Sequence, residues 1–411
     1  MWTLVLDPSL HSFGGHHFAA SACLLDELRA LGSAPRLLAS RRSDDRTTGD
    51  LGGEAVFTHC VYGRSDFASA EFRRRVRETL GEMRRALRFS FRAPELVVLP
   101  SCDQVQLAAL AQLMAGYRWF RKPKIVAWFL FPPDWGSGSP EESVRLIGEY
   151  REAFAAFHRS LPASDSVLFC ETEELAATYA ALAGRPVAVS PGANNAIRPL
   201  DPRPANVAPI FACAGHANRP KGYHLLPGAL ARVLARHDSV RFRIHGSFNE
   251  HDRNVDHGPL DALRRLDPRV EVSDAVLTRE AYLAWLASAD AILLPYDPAT
   301  YEKRGSGLFA EAVALGIPTV VTKGSGFAEG SLRRGSAVAI RSHDESGLAD
   351  AIFEAIDRLG DLREAAREFA LSQPAAPWRP VLAELLAAHR GGRAHAVPGD
   401  RRLTGSGGGP A

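Results

Sequence analysis

The sequence has little net charge. Lys and Arg total 49 against 47 Asp and Glu, a formal balance of +2 over 411 residues, so nothing in the bulk charge asks for a nucleic-acid partner. It has few cysteines: five, an odd number, with no C-x-x-C pair and each in or beside an apolar run. That excludes a disulfide frame and predicts reduced, buried thiols in a cytoplasmic protein. No run approaches the roughly 20 apolar residues of a membrane span. The opening MWTLVLDPSL lacks the charged start and long apolar core of a secretion signal. His11, His16 and His17 cluster early but at no zinc-ligand spacing, so no metal is expected. A G-x-G-x-x-G fingerprint with its partner acid is also missing, which disfavours NAD; no cofactor is expected.

What the sequence does have is alternation. The apolar runs WTLVLD (2–7), ELVVLP (95–100), KIVAWFLF (124–131) and SVLFC (166–170) take turns with helical stretches such as FAASACLLDELRALG (18–32) and QVQLAALAQLM. PIFACAG (209–215), VRFRIHG (240–246), AILLPY (291–296) and PTVVT (318–322) continue the series. Near-continuous apolar strands between helices predict parallel sheets covered on both faces, the α/β class. At 411 residues the chain exceeds one ordinary core. The passage SPGANNAIRPLDPRPANVAP (190–209), rich in Pro and Asn and without periodicity, divides it. The expected organisation is two Rossmann-like, doubly wound domains, 1–195 and 196–375, then a packed helix over 376–390 and a disordered tail over 391–411. Two such domains in series place a two-part ligand between the carboxyl ends of two sheets.

Three glycine-bearing stretches carry chemistry. In FACAGHANRPKGYHLLPGAL, Arg219 and Lys221 follow the end of a strand, and two cations on a strand-to-helix loop suit a diphosphate. In YEKRGSGLFAEAVALGIPTVV, the N–H groups of Gly305, Ser306, Gly307 and Leu308 would be unpaired at a helix start and attract an anion. Glu311, four residues after Gly307, lies on the same helix face, one turn on and within reach of a ribose. In DPSLHSFGGHHFAASACLL, Gly14 and Gly15 let the backbone approach a ligand, and His16 either faces the cleft as a hydrogen-bond donor or caps and packs.

Together these pieces resemble a retaining GT-B glycosyltransferase of the family-4 type over roughly residues 1 to 390. AGHANRPKG is similar to the family's phosphate loop, SPGANN to its interdomain segment, and LTREAYLAWLASADAILLPY to the helix and strand before its signature. YEKRGSGLFAEAVALGIPTVV is similar to the E-x7-E signature itself. The resemblance implies the GT-B fold, a nucleotide-sugar held by the second domain and a glycan, lipid-linked or small-molecule acceptor on the first. It also implies metal-free transfer, with Arg219, Lys221 and the helix start holding the diphosphate. Glu311 matches the second signature Glu. The first falls on Lys303, and the nearest carboxylate is Glu302, the candidate to reach the donor sugar. Where the family often carries a histidine, KIVAWFLFPPDW has Leu130 or Phe131.

EFRRRVRETLGEMRRALRFSFRA (71–93) is a basic amphipathic helix with an apolar stripe of Phe72, Val76, Leu80, Met83 and Leu87. The favoured reading puts the stripe in the core; the other lays the helix on an anionic membrane at the inner face. A non-catalytic GT-B-like scaffold that binds a nucleotide-sugar or glycan is the alternative function, and a sugar-nucleotide epimerase a third.

Overall fold

The computed structural model describes residues 2–12, 16–61, 69–87, 93–116, 122–190, 197, 199–201, 206–247, 257–275, 277–374 and 376–391. The first domain holds strands β1 (Trp2–Asp7), β2 (Ala34–Ser40), β3 (Gly53–Phe57), β4 (Leu96–Leu99), β5 (Lys124–Phe129), β6 (Ser166–Cys170) and β7 (Ala188–Val189). They form one sheet in the order β3-β2-β1-β4-β5-β6-β7. The second domain holds β8 (Ile210–His216), β9 (Arg241–Ser247), β10 (Val270–Ser273), β11 (Ala291–Leu294), β12 (Thr319–Thr322) and β13 (Ala337–Ile340), ordered β10-β9-β8-β11-β12-β13. Every pairing in both sheets is parallel.

Alternate strand residues go to opposite faces, and here both faces are buried. Leu4 and Leu6 of β1 join one apolar cluster and Val5 another. In β8, Phe211 and Cys213 join one and Ala212 and Ala214 the other. This is why the strands read as unbroken apolar runs. The five cysteines are buried free thiols. The stripe on helix Ser69–Leu87 is buried in the first domain's core, which leaves Arg73, Arg74, Arg77, Arg84 and Arg85 on its exposed face. A membrane contact through that stripe is thereby corrected: its apolar residues are already packed. Residues 88–92 lie outside the described residues, as do most of the 190–209 passage and the tail from 392.

The last helix, Arg379–Gly391, packs on the first domain although it follows the second in sequence. Leu382, Leu385 and Leu386 join the cluster of Val5 and Val98. Trp378, 1% exposed, is wedged between Trp128 at 5.3 Å and Phe169 at 5.2 Å. Arg379 adds an ion pair to Glu27 at 2.8 Å. In each sheet the strand order reverses beside the first strand, between β1 and β4 and between β8 and β11. Open α/β sheets hold ligands at that point, outside the carboxyl ends of the strands.

Candidate active site in the interdomain cleft

On the second domain, β8 runs out into a short turn, Arg219–Lys221. Asn218 caps it by accepting the Lys221 N–H at 3.1 Å. The turn is tied to the end of the neighbouring strand by Asp297 N–H to Pro220 O, 2.9 Å. Tyr223 braces it from below, its hydroxyl donating to Gly215 O at 3.1 Å and His245 O at 3.0 Å. Lys221 folds back over Gly215, where φ is +120° and a Cβ would lie 2.5 Å from the ammonium nitrogen. Glycine is therefore required twice at 215, for its backbone and for the space above it. The ammonium sits 5.6 Å from the Tyr296 ring. Its pKa is pushed down to about 8, first by desolvation and also by Arg304, with Cys213 and Glu311 acting in the opposite direction. Arg219 is exposed at the start of the same turn.

The glycine turn 305–307 opens helix Gly307–Leu315, with Ser306 as its N-cap and the Ser306 hydroxyl accepting the Phe309 N–H at 3.2 Å. The N–H groups of Ser306, Gly307 and Leu308 have no partner among the described residues. The Gly305 N–H, expected to be unpaired, is in fact taken by Glu171 of the first domain at 3.1 Å. Glu311 is 7% exposed and already engaged: Arg279 holds one oxygen, and Tyr282 donates to the other at 2.9 Å. Burial and then the Glu311 carboxylate raise the Tyr282 hydroxyl well above its usual pKa, so it remains a donor. A carboxylate has about four acceptor positions, so Glu311 retains capacity for a ligand.

The first domain supplies the facing wall. At the end of β1 the fully buried Asp7 accepts from Ser21 at 2.9 Å and from the Ser9 N–H at 3.1 Å. It pairs with His17 Nδ1 at 3.0 Å. Burial alone would raise its pKa, but His17 and these donors lower it. Phe131, one of the apolar residues standing where a histidine was sought, stacks on Trp135 at 4.3 Å. The Arg304 guanidinium lies 4.9 Å from the Phe131 ring and 4.9 Å from Tyr301. Phe131 and Trp135 thus carry a cation from the opposite domain. Thr172 donates to Lys303 O at 3.2 Å, a second bond across the cleft.

The structure therefore brings Lys221, the turn 306–308 and Glu311 together at one end of the second sheet. Glu302 is exposed at the end of the short helix Pro298–Tyr301 and makes no side-chain hydrogen bond or ion pair with described residues. Gly14 and Gly15 lie outside the described residues, and His16 opens helix His16–Ala30 with its side chain outside them. Sequence reading missed Glu171, Arg304, Arg279 and Tyr282, and passed over His17 in favour of His16. Among the described residues no group of three His, Cys, Asp or Glu is arranged to hold a metal ion.

Two doubly wound parallel sheets, open to each other at their switch points and tied by a helix that returns to the first, define the GT-B glycosyltransferase class, and the chain has that fold. Its residues 208–358, which contain Arg219, Lys221, the glycine turn and Glu311, match the family model described as Glycosyl transferases group 1. A glycosyltransferase from Rickettsia africae superposes with a TM-score of 0.65 at 12% identity, covering 95% of this chain and 99% of that one. HepE of Anabaena, solved with UDP and glucose, superposes with a TM-score of 0.64 at 16% identity, covering 94% and 99%. At these identities the likeness speaks for the fold. The D-inositol 3-phosphate glycosyltransferase 2 of Catenulispora acidiphila is 27% identical over 247 residues, so the match spans 56% of this chain and 56% of that relative.

Proposed function

We propose that the protein is a glycosyltransferase that moves a sugar from a nucleotide-sugar to an acceptor hydroxyl. The observation that carries this is the convergence of a half-buried lysine, the open N–H groups of a helix start and an ordered carboxylate at the switch point of the second sheet. A nucleoside diphosphate has the chemistry to match: its phosphates suit Lys221 and the N–H groups of residues 306–308, and its ribose hydroxyls suit Glu311. The nucleotide and sugar bound in the Anabaena neighbour and the name of the Catenulispora relative support the same reading.

As the glycosyl–phosphate bond breaks, the sugar becomes oxocarbenium-like and the electron pair leaves with the diphosphate. Lys221, Arg219 and the helix start would stabilise that charge, with donors fixed in place before the reaction begins. Arg219 reaches the phosphates by turning inward from its exposed position. The acceptor oxygen then bonds to the anomeric carbon, and its proton passes to a leaving phosphate oxygen. Attack on the face the diphosphate leaves gives retention, a reading that rests on the signature around Glu311. The cations carry the charge that a divalent ion carries elsewhere, so transfer is expected to persist in EDTA; strict dependence on a divalent ion would refute that mechanism. On the acceptor side His17, oriented by Asp7, is proposed beside His16 as a hydrogen-bond donor to the acceptor. The acceptor is proposed as a glycan, lipid-linked or small molecule met at the cytoplasmic side. A lipid-linked acceptor would bring the exposed arginines of helix Ser69–Leu87 near an anionic surface.

A thermal-shift panel of UDP-, GDP-, ADP- and dTDP-sugars on wild type and Lys221→Ala tests the reading. One nucleotide class should raise the midpoint by mass action, and the variant should lose the shift. Wild type unmoved by all four would favour a protein that does not turn over nucleotide-sugars.

A further inference from the structure

Several carboxylates lie at the cleft end of the two sheets, and three of them bear on the site. Asp7 is saturated by His17, Ser21 and the Ser9 N–H. Glu311 is braced by Arg279 and Tyr282. Glu171 differs. It follows directly on β6, at the carboxyl edge of the first sheet. Its Oε2 accepts the Gly305 N–H at 3.1 Å across the cleft. Its Oε1 has no hydrogen-bond partner among the described residues.

Position 305 is shaped around this carboxylate. A Cβ there would lie 2.2 Å from Glu171 Oε2 and 2.8 Å from Glu171 Cβ. Glycine is thus required for the two domains to meet at this point. The surroundings also set the protonation. Desolvation raises the Glu171 pKa to about 7, against the pull of Arg304, the Gly305 N–H and His17. Near neutrality the group both accepts and donates, as does a sugar hydroxyl.

Resting on the glycosyl-transfer reading above, we infer that Glu171 is the sugar-positioning residue of the cleft. One oxygen holds the glycine turn through Gly305, and the other takes a hydroxyl of the transferred sugar. The first domain would then read the sugar while the second reads the nucleotide. The exposed Glu302, the sequence-level candidate for that contact, would have no part in it.

The test compares each nucleoside diphosphate with its sugar conjugate: UDP with UDP-glucose, GDP with GDP-mannose, ADP with ADP-glucose and dTDP with dTDP-glucose. Affinities are measured by calorimetry on wild type, Glu171→Gln and Gly305→Ala. For the class that binds, wild type should hold the conjugate at least about tenfold tighter than the free nucleotide, the weight of one hydrogen bond involving a charged group. In Glu171→Gln that ratio should fall toward one, with affinity for the free nucleotide changed less than about twofold. Gly305→Ala, which keeps the carboxylate but cannot seat it, should lose the ratio in the same way. An unchanged ratio in Glu171→Gln overturns the sugar role and leaves the donor site standing. A wild type that binds none of the four nucleotides overturns the donor reading and the sugar role together.

Discussion

Lys221 makes the sharpest prediction, because its charge is costly in the empty protein and useful in the loaded one. With a pKa of about 8, roughly nine-tenths of the molecules carry the ammonium at pH 7. A bound diphosphate favours the charged form, so binding takes up a proton: about 0.1 per site at pH 7, about 0.5 at pH 8 and about 0.9 at pH 9. Donor affinity should therefore fall above pH 8, approaching tenfold per unit. Stability of the empty protein should move the other way. The folded pKa lies below the ordinary 10.5, so between about pH 8 and 10.5 the unfolded chain binds more protons and this group's contribution to stability rises with pH. Calorimetry of inorganic pyrophosphate and of whichever nucleoside diphosphate of the four binds, in buffers of different ionisation enthalpy, reads the proton uptake directly. Removing the ammonium in Lys221→Ala should cost about 1.5–3 kcal/mol of binding, roughly 10- to 150-fold, the range for a hydrogen bond to a charged group. Lys221→Arg, charged throughout, should bind without the pH trend. Wild-type affinity in the alanine variant, or binding by wild type with no proton uptake from pH 7 to 9, would refute the reasoning.

Three further outcomes follow from the same geometry. Gly215→Ala places a methyl 2.5 Å from the Lys221 ammonium and should displace it, lowering affinity for the nucleoside diphosphate that binds as far as Lys221→Ala does while the far-UV spectrum is unchanged. Glu311→Ala should abolish transfer and also destabilise by about 1–3 kcal/mol in urea titration, because Arg279 and Tyr282 lose their shared acceptor; Glu311→Gln, which keeps an acceptor for Tyr282, should lose less stability. Trp378→Ala removes a side chain buried between Trp128 and Phe169. It should cost about 3–5 kcal/mol, read as a lower urea midpoint for the first domain and early proteolysis at the last helix.

What was legible in the sequence, and what was not, follows from the range of the interactions. β1, β5, β8 and β12 are central, and burial on both faces writes them as apolar runs that a local reading finds almost to the residue. β3 and β10 are edge strands with exposed positions, and β7 has two residues, so their patterns are too short or too polar to stand out. The donor-side residues were visible because they lie in or just after a turn that opens a helix, where glycine and cations advertise an anion site within ten residues of chain. Glu311 was found, but its partners were not: Arg279 is 32 positions away, and nothing local marks it as the residue that will hold that carboxylate. His17 meets Asp7 from ten positions along, a pairing that no local pattern marks.

Glu171 was the least legible of all. In SVLFCETEEL it looks like one of three acids at the start of a solvated helix, and in Glu173 that bland reading holds, since it is exposed. Its difference arises only when a second sheet, 134 positions along, brings Gly305 against it. The same closure gives Phe131 and Trp135 their meaning as the seat of Arg304. Residues that act between two domains have no periodicity and no neighbour in sequence to betray them; only the glycine that makes room for the contact leaves a trace. In this chain the glycine turn carried that trace. It was read as an anion site on the second domain, and it is also the point where the first domain touches the site.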